Sequence, residues 1–321
     1  MHLHYCETPG GNFGDDMNLW FWDDVMPGWR EMQPDTTLSG IGNLINRSML
    51  SNHAKTLVCG SGAGYGALPK TGMDNVTFAW VRGPRTAEVL GLDARVAITD
   101  GACLVADLPR FADRGEHRAD TIFVPHRLTA RLALNWDAIG QRAGLEVVLP
   151  QDDAVSVINR IREARLVIAE SMHGAIIADA FRVPWIPVAI SHHFNSFKWQ
   201  DWADSMEVDL HMNEALRLPR NAYFLLRNQR QKLQKFRRDR KKQNMKSKKP
   251  TEPFENPNYL DKNEREGVKN LISQVAPLVE RLLARDLRRV TRQRPSLSSD
   301  VVLASRKDAI RHCIDSVSNV S

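Results

Sequence analysis

Along the first two thirds of the chain, short apolar runs alternate with stretches whose apolar residues recur at helical spacing. Residues 3–6, 56–59 and 76–81 read as strands. A helical stretch follows the first of them, around Leu19, Trp20 and Trp22. Another follows the third over 84–90, where Pro84 suits the first turn because its missing N–H is not needed there. A second series starts near residue 117, beyond a segment rich in Arg, Asp and Gly. Its strands span 121–124, 145–149, 165–169 and 185–190, and its helices 136–143, 153–164 and 172–181. This alternation predicts parallel sheets covered by helices, an α/β protein. The break near 116 divides it into one domain over 1–115 and another over 116–205. Residues 206–260 read as a basic helix or linker, 261–293 as an amphipathic helix, and 294–321 as a loosely ordered, Ser-rich tail.

Composition narrows the class. With 321 residues, 42% of them hydrophobic and 26% charged, wholesale disorder is excluded and two ordinary domains are expected. No run approaches the roughly 18 consecutive apolar residues of a membrane span. The first residues lack the basic and apolar regions of a secretory signal. Cys6, Cys59, Cys103 and Cys313 show no C-x-x-C spacing and read as free thiols in a reducing compartment, so the expected location is the cytoplasm.

Charge is distributed unevenly. Residues 217–249 hold 14 Lys and Arg against one acid, Asp239, a local +13 in a chain whose net charge is +6. A solvated basic helix or linker explains such a run. So does attraction to an anionic membrane surface, at about 1 kcal/mol per nearby cation. Nucleic-acid binding is not expected, because no recognition fold or aromatic platform accompanies the charge.

Several loops after strands carry chemistry-bearing residues. Residues 62–67 fit G-x-G-x-x-A nominally, but Leu68, Pro69 and Gly72 oppose the helix that a dinucleotide fingerprint requires. Gly62 and Gly64 remain as a loop that admits a ligand closely or simply turns tightly. In Glu170-Ser171-Met172-His173-Gly174, an apolar strand meets a helix start, a place suited to anion binding or proton relay by His173. The competing reading packs His173 between strand and helix, with Ser171 as cap. His126 and Arg127 follow another strand and suit phosphate or carboxylate, while Arg82 and Arg85 bracket a helix start. Together these predict a cationic crevice for a small polyanion. Asn12, Asp15 and Asp16 suit sugar hydroxyls, base catalysis or plain capping of the next helix. No metal site is indicated.

The strings at 12–18 (NFGDDMN), 58–66 (VCGSGAGYG), 81–92 (VRGPRTAEVLGL), 98–104 (ITDGACL), 124–127 (VPHR) and 170–188 (ESMHGAIIADAFRVPWIPV) resemble the polysaccharide pyruvyl transferase family. The likeness is to its bacterial exopolysaccharide branch, with ketal-forming enzymes of the succinoglycan and xanthan type. It implies two Rossmann-like domains facing each other across a cleft, as in GT-B glycosyltransferases, with the donor held mainly by the second. It implies phosphoenolpyruvate as donor, no cofactor, and a cyclic pyruvate ketal on a sugar as product. The family's functional His corresponds to His173, and Arg127 to a donor-binding Arg. Many members have Arg where Ser171 stands, so Arg82, Arg85 or His126 is expected to supply the missing anion contact. Glu170, Asp15 or Asp16 is the expected base. A lipid-linked oligosaccharide is the implied acceptor, which would give residues 217–249 a role at the inner membrane face. A nucleotide-sugar glycosyltransferase and a non-catalytic scaffold of polysaccharide assembly are the competing classes.

Overall fold

Short apolar strands joined by crossovers favour a parallel sheet with buried central strands, and the chain forms two such sheets. The computed structural model describes residues 1–46, 55–68, 73–113, 120–191, 194–216, 226 and 262–319, with backbone only for 262–273. The first sheet runs β1 (His2–His4), β2 (Thr36–Ser39), β3 (Lys55–Cys59) and β4 (Val76–Trp80), all parallel and in chain order. Helices α1 (Phe13–Asp16) and α2 (Asn18–Val25) follow β1, and α3 (Pro84–Leu90) follows β4. The second sheet comprises β5 (Thr121–Val124), β6 (Glu146–Val147), β7 (Leu166–Ala169), β8 (Trp185–Ala189) and β9 (Asn213–Glu214). Its order is β6-β5-β7-β8-β9, again parallel throughout. Helices α4 (Trp136–Ala143), α5 (Ala154–Glu163) and α6 (Met172–Ala180) make its crossovers.

Three elements lie outside the sequence expectations. Strand β2, with a single large apolar residue in Thr-Thr-Leu-Ser, is buried at all four positions because it lies between β1 and β3. Helix α7 (Ser196–Ser205), capped by the Asn195 side chain, buries Trp199 and Trp202 against Trp185, the closest ring centroids being 5.2 Å apart. Strand β9 extends the second sheet by a two-residue pairing with β8.

The C-terminus corrects the expectation of a loose tail over 294–321. After α8 (Lys262–Val290), which buries Leu283 and Leu287 beside Trp136 and Ile139, residues 300–318 form a second long helix, α9 (Asp300–Ser318). Its sparse Leu303, Ile310 and Ile314 are buried, and Lys307 holds Asp107 of the first half at 2.7 Å. The ion pair and buried stripe compensate for a serine-rich approach segment. The basic run 217–249 lies outside the described residues. Among the described residues, no helix is long and apolar enough to cross a membrane, and the four cysteines are unpaired thiols.

Candidate functional site

From β5 the chain moves out to β6 and returns on the other side of β5 as β7, so strand order reverses between β5 and β7. In open parallel sheets the crevice beyond the carboxyl ends of such strands is where ligands bind. His126 and Arg127 follow β5 directly, and Ser171, Met172 and His173 follow β7. These residues line one wall of a cavity of about 310 Å³. The opposite wall comes from loops beyond the strands of the first sheet: Asn12 and Asp15 after β1, Asn43 after β2 and Tyr65 after β3. Lys198 of α7 completes the lining. A larger groove of about 700 Å³ beside α9 brings together only Lys55 and Asp74 as charged groups among the described residues, without the convergence seen here.

Two cations dominate the pocket. Among the described residues, neither the Arg127 guanidinium nor the Lys198 ammonium has a hydrogen bond or ion pair. Lys198 is nonetheless buried, with Nζ 5.3 Å from the Tyr65 ring centroid. Burial, and next the nearby charge of Arg82, lowers its pKa to about 8. Ser171 caps α6 by accepting the Gly174 N–H at 3.4 Å, and this positive helix end opens on the same space.

His173 is packed so tightly that a Cβ on Gly14 would fall 2.0 Å from its Nδ1, so only glycine fits there. Burial, then Lys198 and Arg82, brings its pKa down to about 3, which leaves a neutral imidazole. Burial pushes Asp15 up to about 6 even though it accepts a 2.5 Å bond from Asn12 Nδ2. Glu170 is also raised by burial, to about 7, but it is not among the residues that line the cavity. Its carboxylate accepts His126 N–H at 2.9 Å, Thr129 Oγ1 at 2.9 Å and Ser191 N–H at 3.1 Å. It thereby ties together the ends of β5, β7 and β8.

Of the sequence candidates, Asn12, Asp15, His126, Arg127, Ser171 and His173 converge on the cavity. The expected role of Arg82 and Arg85 in a cationic crevice is corrected. Arg82 is wholly buried and spends its donors on Asp201 Oδ2 at 3.0 Å, Asn43 Oδ1 at 2.6 Å and Ala63 O at 2.7 Å. Arg85 pairs with Asp204 at the surface. Gly62 admits the Arg82 guanidinium rather than a ligand, since a Cβ there would meet Cζ at 2.1 Å. Gly64 lies beside Asn43, Asn195 and Lys198, and residues 60–68 contain no helix. Pro69 and Gly72 fall outside the described residues. Asp16 accepts the Asn12 backbone N–H at 2.7 Å, and Gly174 packs on Val124. Lys198 escaped sequence reasoning because it lies beyond the last strand expected, on a helix not foreseen. Its signal was the i, i+3 pair Trp199 and Trp202.

The molecule is thus an α/β protein in which two parallel sheets send the loops after their strands into one small polar cavity, with two cations that make no ion pair among the described residues and a helix start at its wall. The chain belongs to the polysaccharide pyruvyl transferase family, whose model matches residues 50–192. It is 46% identical over 209 residues to the succinoglycan biosynthesis protein ExoV of Rhizobium meliloti (strain 1021), a stretch covering 65% of this chain and 66% of that protein. The match thus spans just under two thirds of the relative's length. No solved structure matches.

Proposed function

We propose that the chain transfers the pyruvate moiety of phosphoenolpyruvate to a sugar of an exopolysaccharide precursor, forming a cyclic ketal and releasing phosphate. The observation that carries this reading is the placement of Arg127 and buried Lys198 in one cavity, neither in an ion pair among the described residues, beside His173 at the start of α6. Lys198, rather than Arg82 or Arg85, supplies the anion contact expected where Ser171 stands. A cavity of about 310 Å³ lies at the small end of the roughly 300–1,000 Å³ range of ligand sites, which favours phosphoenolpyruvate over a nucleotide sugar. The placement of loops from both sheets around one pocket supports a GT-B-like pairing of two Rossmann-like domains.

In this mechanism Arg127 and Lys198 hold the phosphate and carboxylate, and the ligand's negative charge raises the depressed His173 pKa until the imidazole takes a proton. His173 gives that proton to the methylene carbon of the enol ester, leaving C2 electrophilic. A sugar hydroxyl attacks C2 as Asp15, at about 6 the pocket carboxylate suited to the task, accepts its proton. Phosphate leaves from C2, a neighbouring hydroxyl closes the ketal there, and its proton returns to the His173 imidazole. The acceptor is a lipid-linked oligosaccharide, and residues 217–249 hold the protein to the anionic membrane face. That last part fails if neutralising the segment leaves binding to phosphatidylserine-containing vesicles unchanged.

Thermal unfolding with phosphoenolpyruvate or UDP-glucose tests the donor. At about a hundred times its dissociation constant, a ligand adds about 2.7 kcal/mol to stability. A rise with phosphoenolpyruvate, lost in Arg127→Ala and Lys198→Ala, is expected. A rise with UDP-glucose alone would move the reading to glycosyl transfer. Full function of His173→Ala in cells would move it to a scaffold.

A further inference from the structure

Behind the cavity wall lie two buried polar atoms without hydrogen-bond partners among the described residues, Asp100 Oδ2 and His173 Nε2. They face each other at 3.9 Å. That is too long for a hydrogen bond, yet close enough that a shift of about 1 Å makes one. The two side chains come from different halves of the fold. Asp100 caps the 3₁₀ turn Gly101–Asp107, its Oδ1 accepting the Ala102 N–H at 3.0 Å, and is wholly buried. His173 sits in the first turn of α6, held against Gly14. The charged groups around the pair are Lys198 and Asp201 of α7, Arg82 beyond β4 and Asp15 of α1.

By themselves these groups leave little attraction across the gap. The imidazole is neutral, and burial brings the Asp100 carboxyl up to about 6, so neither atom is driven toward the other. An anion bound by Arg127 and Lys198 changes this balance. It offsets the Lys198 charge, which together with burial and Arg82 disfavours an imidazolium, and lets His173 take a proton from solvent. Nε2 is enclosed by protein, so a proton passed to a ligand leaves through Nδ1, and Nε2 is free for a structural bond.

We propose that Asp100 is a positioning residue for His173: with the pocket occupied, Oδ2 accepts the Nε2–H of the imidazolium, fixing the ring and the nitrogen that exchanges its proton. The inference rests on the reading of His173 as a proton donor to phosphoenolpyruvate. It adds a partner from the first half of the chain, so the acid is assembled only where both halves meet. It also accounts for two orphaned atoms that would otherwise be buried to no effect.

The test uses the full chain with ¹⁵N-labelled histidine, the His173 signal being assigned by its loss in His173→Gln. Wild type and Asp100→Asn are titrated with and without saturating phosphoenolpyruvate. The asparagine keeps Oδ1 for the Ala102 cap, and an unchanged melting temperature confirms the fold. In wild type, phosphoenolpyruvate raises the His173 pKa by about one unit or more. In Asp100→Asn that rise shrinks by about one unit, kcat falls at least about tenfold, and KM for phosphoenolpyruvate changes less than about threefold. Restoration of the wild-type titration by Asp100→Glu, where the longer arm reaches, strengthens the assignment. Identical liganded titrations in wild type and Asp100→Asn overturn the positioning role alone. No response of the wild-type His173 signal to phosphoenolpyruvate overturns the functional reading, and this inference with it.

Discussion

Two loops of this molecule look alike in sequence and behave oppositely in space. After β4 stands Arg82, and after β5 stand His126 and Arg127. Each places arginine just beyond a parallel strand. Arg82 meets Asp201 from α7, with both side chains wholly buried, and becomes part of the framework. Arg127 lines an open cavity and makes no ion pair among the described residues. The difference teaches that a strand-end arginine is an anion site only when no carboxylate from a distant element has already claimed it. Asp201 lies 119 residues further along the chain than Arg82. It also accepts from Thr86 N–H at 2.8 Å and Thr86 Oγ1 at 2.6 Å, so one carboxylate fastens β4, α3 and α7 together.

The largest effect expected from this contrast is in stability. Arg82→Ala leaves Asp201 buried without its cation and costs about 3–5 kcal/mol, seen as a large drop in the denaturant midpoint. Arg127→Ala is the opposite case. Phosphoenolpyruvate affinity falls by about 1.5–3 kcal/mol while unfolding stability stays within about 0.5 kcal/mol, as isothermal calorimetry and chemical denaturation would together show. If Arg82→Ala spares the fold and abolishes binding, the two loops have been assigned the wrong way round.

Asp15 sharpens the same contrast from the acidic side. Its folded carboxyl titrates near 6, above its ordinary 3.8, so the native state binds this proton more strongly than the unfolded chain does. Its contribution to stability is therefore present below about pH 4 and is lost as pH rises through about 6. Asp15→Asn removes that loss and raises stability at pH 7.5 by on the order of 2 kcal/mol, while abolishing transfer. His173, lowered to about 3, acts in the opposite direction between about 3 and its ordinary 6.5, so the comparison is the difference between wild type and variant across pH. Stability at pH 7.5 that does not rise in Asp15→Asn would mean the carboxylate is already compensated. The smallest effect belongs to Arg85. Its surface pair with Asp204 is worth at most about 0.5 kcal/mol, and Arg85→Ala leaves both binding and melting nearly unchanged.

Much of the architecture was legible in the chain. Runs such as Thr121-Ile-Phe-Val and Leu166-Val-Ile-Ala are apolar on both faces and bounded by turn residues, so their burial as central parallel strands follows from composition alone. Motifs placed just after those runs had to lie at strand ends, which is why His126, Arg127, Ser171 and His173 were found as a group. Strand β2 was not legible, because its threonines are buried by their neighbours rather than by their own character. Helix α9 was missed for a related reason: three widely spaced apolar residues and a lysine gain their worth only against the first half of the fold.

The sequence by itself determined that apolar runs such as 121–124 and 166–169 must be buried, where the loops after them begin, and the family to which the chain belongs. All of these depend on neighbours along the chain or on the types of residue within short strings. Tertiary structure decided which charged residues were spent on the framework and which were left for a ligand. That choice set Arg82 against Asp201, aimed Lys198 into the pocket and brought Asp100 to His173. Burial turns each such meeting into a large electrostatic effect, and none of the partners lies near the other in sequence.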